Sequence, residues 1–208
     1  MVRSEKTIAG TQEEPNTYSD SHSGVMTSNG RRMNVVYTGK RGMAFENTLN
    51  YTNQIYLNQG RAIINKRPTP VKVLQSKGTR VLKGFYEEKS TVDYDGIYQG
   101  KSIVFEAKST KEKRLPLSII SDHQVKYLAD AEKLGAISFL IVDMRALGEV
   151  FLVPSNMLRK YTEEAKQGGR KSIPLRDLEV YTQLVKSQNG VPLDYLSVVD
   201  RLIEDEIA

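Results

Sequence analysis

The chain has 208 residues, of which 39% are hydrophobic, and it carries a formal net charge of +5. This length can bury one sizeable core and does not require a second domain. The absence of cysteine excludes disulfides and thiolate metal sites, and two histidines are too few for a histidine-rich zinc site. Any bound metal is therefore expected to take oxygen ligands, which favours Mg²⁺, with Mn²⁺ as the alternative.

The start of the chain lacks both an apolar pattern and the apolar block of a signal peptide. Residues 1–34 are rich in Ser, Thr, Asn, Gly and Glu, so we expect a disordered tail there and one folded domain over 35–208. No run of 18 or more apolar residues occurs in the sequence. We therefore expect a cytoplasmic protein with no membrane partner.

The first predicted element is a helix over 42–60, where apolar side chains recur at spacings of three and four residues before a glycine cap. RAIINK predicts a strand, which KRPTP interrupts because proline cannot donate to a sheet. VKVLQ and TRVLKGFY flank SKG and predict a basic hairpin. STVDYDGIYQGKSIVFEAKS predicts a second hairpin.

The second half of the chain alternates helical and strand patterns. SDHQVKYLADAEKLG predicts a helix with Ser121 as its N-cap. AISFLIVDM and EVFLV are almost continuously apolar, which is typical of central strands. A helix over 156–167, the loop KQGGRKS and an acidic amphipathic helix in PLDYLSVVDRLIEDEIA complete the chain. This order predicts α/β architecture with a mixed central sheet flanked by helices.

Positive charge is concentrated in the middle of the chain. Residues 61–114 hold 13 Lys and Arg against 6 Asp and Glu, a net +7, so the remainder is about neutral or slightly acidic. A local excess of this kind is typical of a phosphate-binding surface, although ordinary soluble proteins also carry basic stretches.

The second hairpin holds the side chains suited to catalysis. With a two-residue turn at Gln99-Gly100, Asp93 lies opposite Glu106, and Lys108 projects from the same face as Glu106. Paired carboxylates could hold one divalent cation. The lysine could orient or deprotonate a water, or stabilise charge on a phosphate. This is the arrangement that metal-assisted phosphodiester hydrolysis requires.

Two alternatives stay open for this hairpin. A turn at Asp95-Gly96, which has the stronger turn chemistry, would place Asp93 opposite Tyr98 and separate the carboxylates. Even in the first register, the charged residues could form only a solvated ion-pair patch. The Gln-Gly turn is favoured because it pairs the charges and buries three alternating side chains on the other face: Ile103, Phe105 and Ala107.

Five segments follow one another along the chain: KRGMAFENTLNYTNQIY, INKRPTPVKV, STVDYDGIYQGKSIVFEAKST, LPLSIISDHQVKYL and GAISFLIV. Together and in this order they resemble the RecU family of Holliday junction resolvases, which is built on the (D/E)xK nuclease fold. The resemblance implies a restriction-endonuclease-like nuclease domain over 35–208 with a projecting basic β stalk at about 66–89. It also implies a Mg²⁺-dependent endodeoxyribonuclease that resolves four-way junctions by paired cuts in DNA recombination and repair.

The resemblance also assigns site residues. It makes Asp93 and Glu106 metal-binding carboxylates, Lys108 the catalytic lysine, Gln124 a further catalytic-site residue and Glu46 an additional acid at the metal. Glu46 could equally be a first-turn glutamate that the helix dipole favours. Gln124 could be an ordinary surface residue of its helix.

The chain departs from the family pattern just before Asp93. Val92 replaces a threonine, so a hydroxyl near the metal is missing, and Thr91 is the residue that could compensate because it would share the face of Asp93. The tail does not copy the family tail closely, which suggests a diverged member such as a phage-encoded one.

The implied stalk is suited to DNA binding. Phe85 and Tyr86 could stack on exposed bases or, alternatively, anchor the stalk to the body. A symmetric junction that needs two opposed cuts also implies a C2 homodimer, and the family is associated with a RecA-type recombinase as a further partner. The candidate phosphate contacts are Lys66, Arg67, Lys72, Lys77, Arg80, Lys83 and Lys89.

Two competing functions remain. The same nuclease chemistry could act on duplex ends, flaps or a restriction-like site. The protein could instead be a largely non-catalytic DNA-binding modulator of recombination, an alternative that only Val92 favours, since the Asp, Glu and Lys positions are complete.

Overall fold

The computed structural model describes residues 41–86 and 91–207. The predicted tail over 1–34 and the predicted phosphate contact Lys89 lie outside this part of the chain. Among the described residues, no helix is long and apolar enough to cross a membrane.

The described chain forms a mixed α/β fold, as the sequence predicts. The helices are α1 Arg41–Asn58, α2 Asp122–Lys133, α3 Ser155–Lys166, α4 Leu175–Tyr181 and α5 Leu196–Ile207, with a 3-10 turn at Leu117–Ile119. The strands are β1 Ala62–Lys66, β2 Val71–Lys77, β3 Arg80–Tyr86, β4 Tyr94–Tyr98, β5 Lys101–Thr110, β6 Arg114–Pro116, β7 Ile137–Met144, β8 Glu149–Pro154, β9 Ser172–Pro174 and β10 Gln183–Leu184. The pairing of β6 with β9, the helix α4 and the short strand β10 were not predicted.

The central sheet has the strand order β1-β4-β5-β7-β8-β10. The pair β5 and β7 is parallel and the other neighbours are antiparallel, which confirms the mixed sheet. The helices α1 and α5 pack on one face, and α2, α3 and α4 pack on the other. A sheet covered on both faces explains why its central strands are almost continuously apolar.

An aromatic stack fixes β4 against β5. The Phe105 ring lies between the rings of Tyr94 and Phe139, with centroids 4.7 Å and 5.0 Å away, and all three side chains are buried. Such pairs stabilise packing beyond the area that they bury. Because Asp93 and Glu106 are the chain neighbours of Tyr94 and Phe105, the stack also sets where the two carboxylates lie.

The observed register confirms the Gln99-Gly100 turn. Tyr94 pairs with Phe105, and the turn residues have φ of 49° and 74°, the positive values that a type I′ turn requires. Asp95-Gly96, the alternative turn, lies within β4 instead. A Cβ at position 96 would lie 2.0 Å from the carbonyl oxygen of Ile63, so a glycine is needed there for β1 to pair with β4.

The face of β5 that carries Glu106 and Lys108 is more buried than strand alternation indicates. Val104 lies on this face, is 4% exposed and packs in the core with residues of α2 and α3. Glu106, on that same face, is 1% exposed. The helices on that side remove Val104 and Glu106 from solvent, while the Lys108 side chain stays 22% exposed. Alternation within a strand cannot reveal this burial.

The hairpin of β2 and β3 is a separate two-stranded sheet. Every residue in both strands is exposed, and the segment 71–86 contains no Asp or Glu. We call this hairpin the stalk. Its bounds agree with the predicted basic hairpin, while the division into tail, domain and stalk insertion stays a prediction.

Candidate active site

Asp93 lies in the bend just before β4, beside Glu106 of β5. The backbone N–H of Asp93 donates to Glu106 Oε2 at 3.1 Å, and the backbone N–H of Ala107 donates to Asp93 Oδ2 at 3.1 Å. Each carboxylate is therefore held by backbone from the segment that carries the other. The structure brings the predicted pair together.

Two further predicted residues meet at Glu106 Oε1. Lys108 Nζ lies 2.7 Å from this oxygen, and Gln124 Nε2 donates to it at 2.5 Å. Gln124 Oε1 accepts hydrogen bonds from the backbone N–H and the hydroxyl of Ser121, at 3.0 Å and 2.8 Å, within a capping box. Gln124 is thus fixed by the start of α2 and is not a free surface residue, while its catalytic role stays a prediction.

The cluster has more negative than positive charge. Burial and then the charge of Asp93 raise the pKa of Glu106 to about 7, and Lys108 partly opposes that rise. The Glu106 side chain is 1% exposed and that of Lys108 is 22% exposed. A solvated ion-pair patch does not describe this arrangement. Two carboxylates with one partly exposed lysine fit a divalent cation, which would supply the missing positive charge.

Glu46 lies in the second turn of α1, so the first-turn interpretation is wrong. Its carboxylate accepts a hydrogen bond from Lys66, the last residue of β1. Burial and then the charges of Glu46 and Asp93 raise the pKa of Tyr94, whose hydroxyl donates to Asn50 Oδ1 at 3.0 Å. In the described part of the chain, no three Asp, Glu or His side chains are grouped closely enough to hold a metal. A metal contact of Glu46 therefore stays a prediction.

Arg67, predicted as a phosphate contact, makes its contacts within the protein. Its backbone N–H donates to the Asp93 carbonyl at 2.7 Å, and its Nε donates to Asp95 Oδ2 at 2.8 Å. Its Nη1 donates to Thr91 Oγ1 at 2.5 Å, and its Cζ lies 5.9 Å from the centre of the Tyr127 ring. The sequence suggested neither Tyr127 nor this use of Arg67, although Tyr127 follows Gln124 by three residues and so lies near it on α2.

The departure at position 92 has a structural explanation. Val92 is fully buried in the core under α2 and α3. Thr91 lies in a bend, so strand alternation does not decide where its side chain points. Its hydroxyl accepts the hydrogen bond from Arg67, and compensation for the missing family hydroxyl stays a prediction.

The family model described as Recombination protein U matches residues 40–201. The chain belongs to the RecU family. A Holliday junction resolvase RecU from Geobacillus sp. (strain WCH70) is 39% identical over 170 residues, which cover 79% of this chain and 85% of that protein. The relative of the same name from Pediococcus pentosaceus is 36% identical over 173 residues, covering 80% and 86%. A solved resolvase, Hjc from Archaeoglobus fulgidus, superposes with a TM-score of 0.35 at 18% identity, covering 57% of this chain and 75% of that one.

In this RecU-family chain, the basic side chains of the stalk strands and those at the base of the stalk differ in their ion pairs. Lys66 and Arg67 at the base contact Glu46 and Asp95. Within the described residues, the basic side chains of the stalk strands form no ion pair, which leaves them available for phosphate. They are Lys72, Lys77, Arg80 and Lys83.

The aromatic residues of the RecU stalk are open to solvent. Phe85 is 50% exposed and Tyr86 is 73% exposed. Rings that anchored the stalk to the body would be buried by it, so this exposure argues against the anchoring interpretation. Stacking on DNA bases stays a prediction for both rings.

Proposed function

We propose that the chain is a metal-dependent endonuclease that resolves four-way DNA junctions by paired phosphodiester hydrolysis in recombination and repair. The observation that carries this proposal is the contact of Asp93 with the buried Glu106, with Lys108 and Gln124 on the same oxygen of Glu106. The names of the relatives support the junction as substrate. The uncompensated carboxylates support Mg²⁺, or Mn²⁺, as the cofactor.

In this proposal each side chain has a physical role. Asp93 and Glu106 hold the cation, which supplies an activated water and neutralises charge on the phosphate. The Lys108 side chain is 22% exposed, so its ammonium can hold a phosphate oxygen or the attacking water. Gln124 fixes the orientation of Glu106 through a hydrogen bond to its carboxylate.

The test is cleavage of a synthetic mobile four-way junction, with duplex and flap DNA of matched sequence, in Mg²⁺, in Mn²⁺ and in chelator. We expect paired nicks in the junction with either metal and none in chelator. Equal cutting of duplex or flap DNA would assign another substrate. Binding without cutting in both metals would identify a non-catalytic DNA-binding protein.

We expect the stalk to bind phosphates. Replacing Lys72, Lys77 and Arg80 with alanine removes three exposed charges without touching the core. Junction affinity should fall, and the slope of log affinity against log salt should lessen by roughly 2 to 3, since each lost phosphate contact contributes about 0.9. Gel shifts in chelator across a salt series measure both quantities.

A matched triple variant controls for net charge. Lys133, Lys160 and Lys186 are exposed and lie outside the stalk, so their replacement by alanine removes the same charge elsewhere. This control should keep the salt slope close to that of the wild type. Equal losses in the two triple variants would show that binding depends on overall charge and not on the stalk.

A homodimer follows from the proposed substrate. Two opposed cuts require two active sites in a fixed relation, and one 23.4 kDa chain supplies one. Light scattering should give twice the monomer mass, alone or on junction DNA. A monomer mass in both conditions would remove the dimer from the proposal.

Two further elements depend on the same function. A junction resolvase acts where chromosomal DNA is, which places the protein in the cytoplasm of the bacterial cell, or of the host if a phage encodes it. Contact with a RecA-type recombinase is a proposal from the family resemblance. Co-sedimentation with recombinase filaments on single-stranded DNA would test it, and its absence would remove that partner.

A further inference from the structure

Arg67 connects the two segments that meet at Glu106. Three of its hydrogen bonds go to the segment 91–95, which carries Asp93, and its guanidinium lies over the ring of Tyr127 on α2, which carries Gln124. Asp93 contacts Glu106 through its backbone N–H, and Gln124 contacts it through its side chain. Arg67 therefore contacts both of the segments that hold the buried Glu106 carboxylate.

We propose that Arg67 is a positioning residue that holds Asp93 in the geometry that binds metal, and not primarily a phosphate contact. This inference rests on the proposed metal-dependent function. Asp93 lies in a bend just before β4, and the backbone N–H of Arg67 holds its carbonyl. The Arg67 side chain holds the residues on either side of this bend, Thr91 and Asp95, which fixes where the Asp93 carboxylate lies. The planar guanidinium can donate in two directions at once, to Asp95 and to Thr91, which a lysine ammonium cannot reproduce with the same geometry.

The two possible roles of Arg67 predict different effects of replacing it on junction affinity and on metal binding. A phosphate contact would lower junction affinity and the salt slope and leave metal binding unchanged. A positioning residue would leave affinity in chelator nearly unchanged and weaken metal binding, typically by 10-fold to 100-fold for groups that orient metal ligands. The structure supports the second pattern because the guanidinium already has two acceptors within the protein, Asp95 and Thr91.

The experiment compares Arg67→Gln and Arg67→Lys with wild type and with Lys72→Gln in the stalk. Three quantities are measured: junction affinity in chelator across a salt series, Mn²⁺ affinity by calorimetry without DNA, and the Mg²⁺ concentration for half-maximal cleavage at saturating junction. Both Arg67 variants should bind junctions within about twofold of wild type. They should bind Mn²⁺ roughly tenfold or more weakly and need correspondingly more Mg²⁺. Lys72→Gln should show the opposite pattern.

Arg67→Lys keeps the positive charge, so it separates geometry from charge and serves as the second variant if Arg67→Gln fails to fold. Normal Mn²⁺ affinity in a folded Arg67 variant, with lost junction affinity and a reduced salt slope, would overturn the positioning role and leave the proposed function intact. A wild-type protein that binds no Mn²⁺ and cuts no junction in either metal would overturn both.

Discussion

Replacing Asp93 with asparagine should lower junction cleavage in Mg²⁺ by roughly 100-fold or more and leave binding in chelator unchanged or tighter. In the proposed mechanism this change removes the cation and its activated water, so the loss of cleavage should exceed the 10-fold to 100-fold typical of groups that only orient ligands. In the proposed complex the removed negative charge would lie beside the DNA, so affinity should not fall. Denaturing gels measure cleavage, and gel shifts measure binding.

Asp93→Asn disturbs the hydrogen bonds of the site less than Glu106→Gln does. An asparagine oxygen can still accept the hydrogen bond from the Ala107 N–H. A glutamine at 106 places an NH₂ group against either the Asp93 N–H or the Lys108 and Gln124 donors. Both variants should lose cleavage, but Glu106→Gln requires a check of its fold by circular dichroism.

Two comparisons complete this experiment. Glu163→Gln removes an equal charge from an exposed position on α3 and should change neither binding nor cleavage. Lys108→Ala should lower cleavage and also lose some phosphate attraction. Near-normal cleavage by folded Asp93→Asn or Glu106→Gln protein would show that the carboxylate pair is not the metal site.

The metal-free protein should lose stability between pH 5 and 8 because of Glu106. Its pKa is raised from 4.5 to about 7. Across that window the folded protein keeps a proton that the unfolded chain has released, so stability is present below pH 4.5 and is lost as pH rises through about 7. A difference of this size amounts to roughly 2 to 3 kcal/mol between pH 5 and 8.

The measurement is the free energy of unfolding of wild type minus that of Glu106→Gln, from urea titrations in chelator at several pH values. Circular dichroism is the suitable signal because the chain has no tryptophan. The difference should fall as pH rises, while the cost of the glutamine shifts it by a constant that does not depend on pH. Asp93→Asn should flatten the slope, because the charge of Asp93 is the second cause of the raised pKa.

Mg²⁺ gives the same prediction a second test. At pH 8 the cation should stabilise wild type, since it binds the folded state with both carboxylates ionised, and it should have little effect on Glu106→Gln. Curves for wild type and Glu106→Gln that stay parallel from pH 5 to 8 in chelator would show that Glu106 titrates at its ordinary pH.

The grouping of the site residues could be predicted from the sequence because it depends on local periodicity. A strand places alternate residues on one face, so Lys108 shares a face with Glu106, and a two-residue turn then selects the partner strand residue. Ser121 and Gln124 likewise have the spacing of a capping box. The Asp93, Glu106 and Lys108 cluster and the first turn of α2 therefore follow from patterns a few residues long.

Only the tertiary structure decided between the two possible turns. Asp95-Gly96 has the stronger turn chemistry, but Gly96 is needed where β1 approaches β4. Gln99 accepts a positive φ that is unusual for its type, and its side chain donates to Asp200 Oδ1 at 3.0 Å. That contact joins residues 101 positions apart, beyond the range of any local pattern.

The electrostatics of the site also required the tertiary structure. Strand alternation placed Glu106 on one face with Lys108, but the burial of Glu106 depends on tertiary packing, with Gln124 of α2 in contact with its carboxylate. The charge of Arg67 and its place in the implied stalk predicted a phosphate contact, yet Asp95, 28 positions away, binds its guanidinium. The sequence by itself determined which charged groups share a face, because that depends on neighbouring residues. The folded chain determined their burial, their pKa and their partners, because those depend on segments that are distant in sequence.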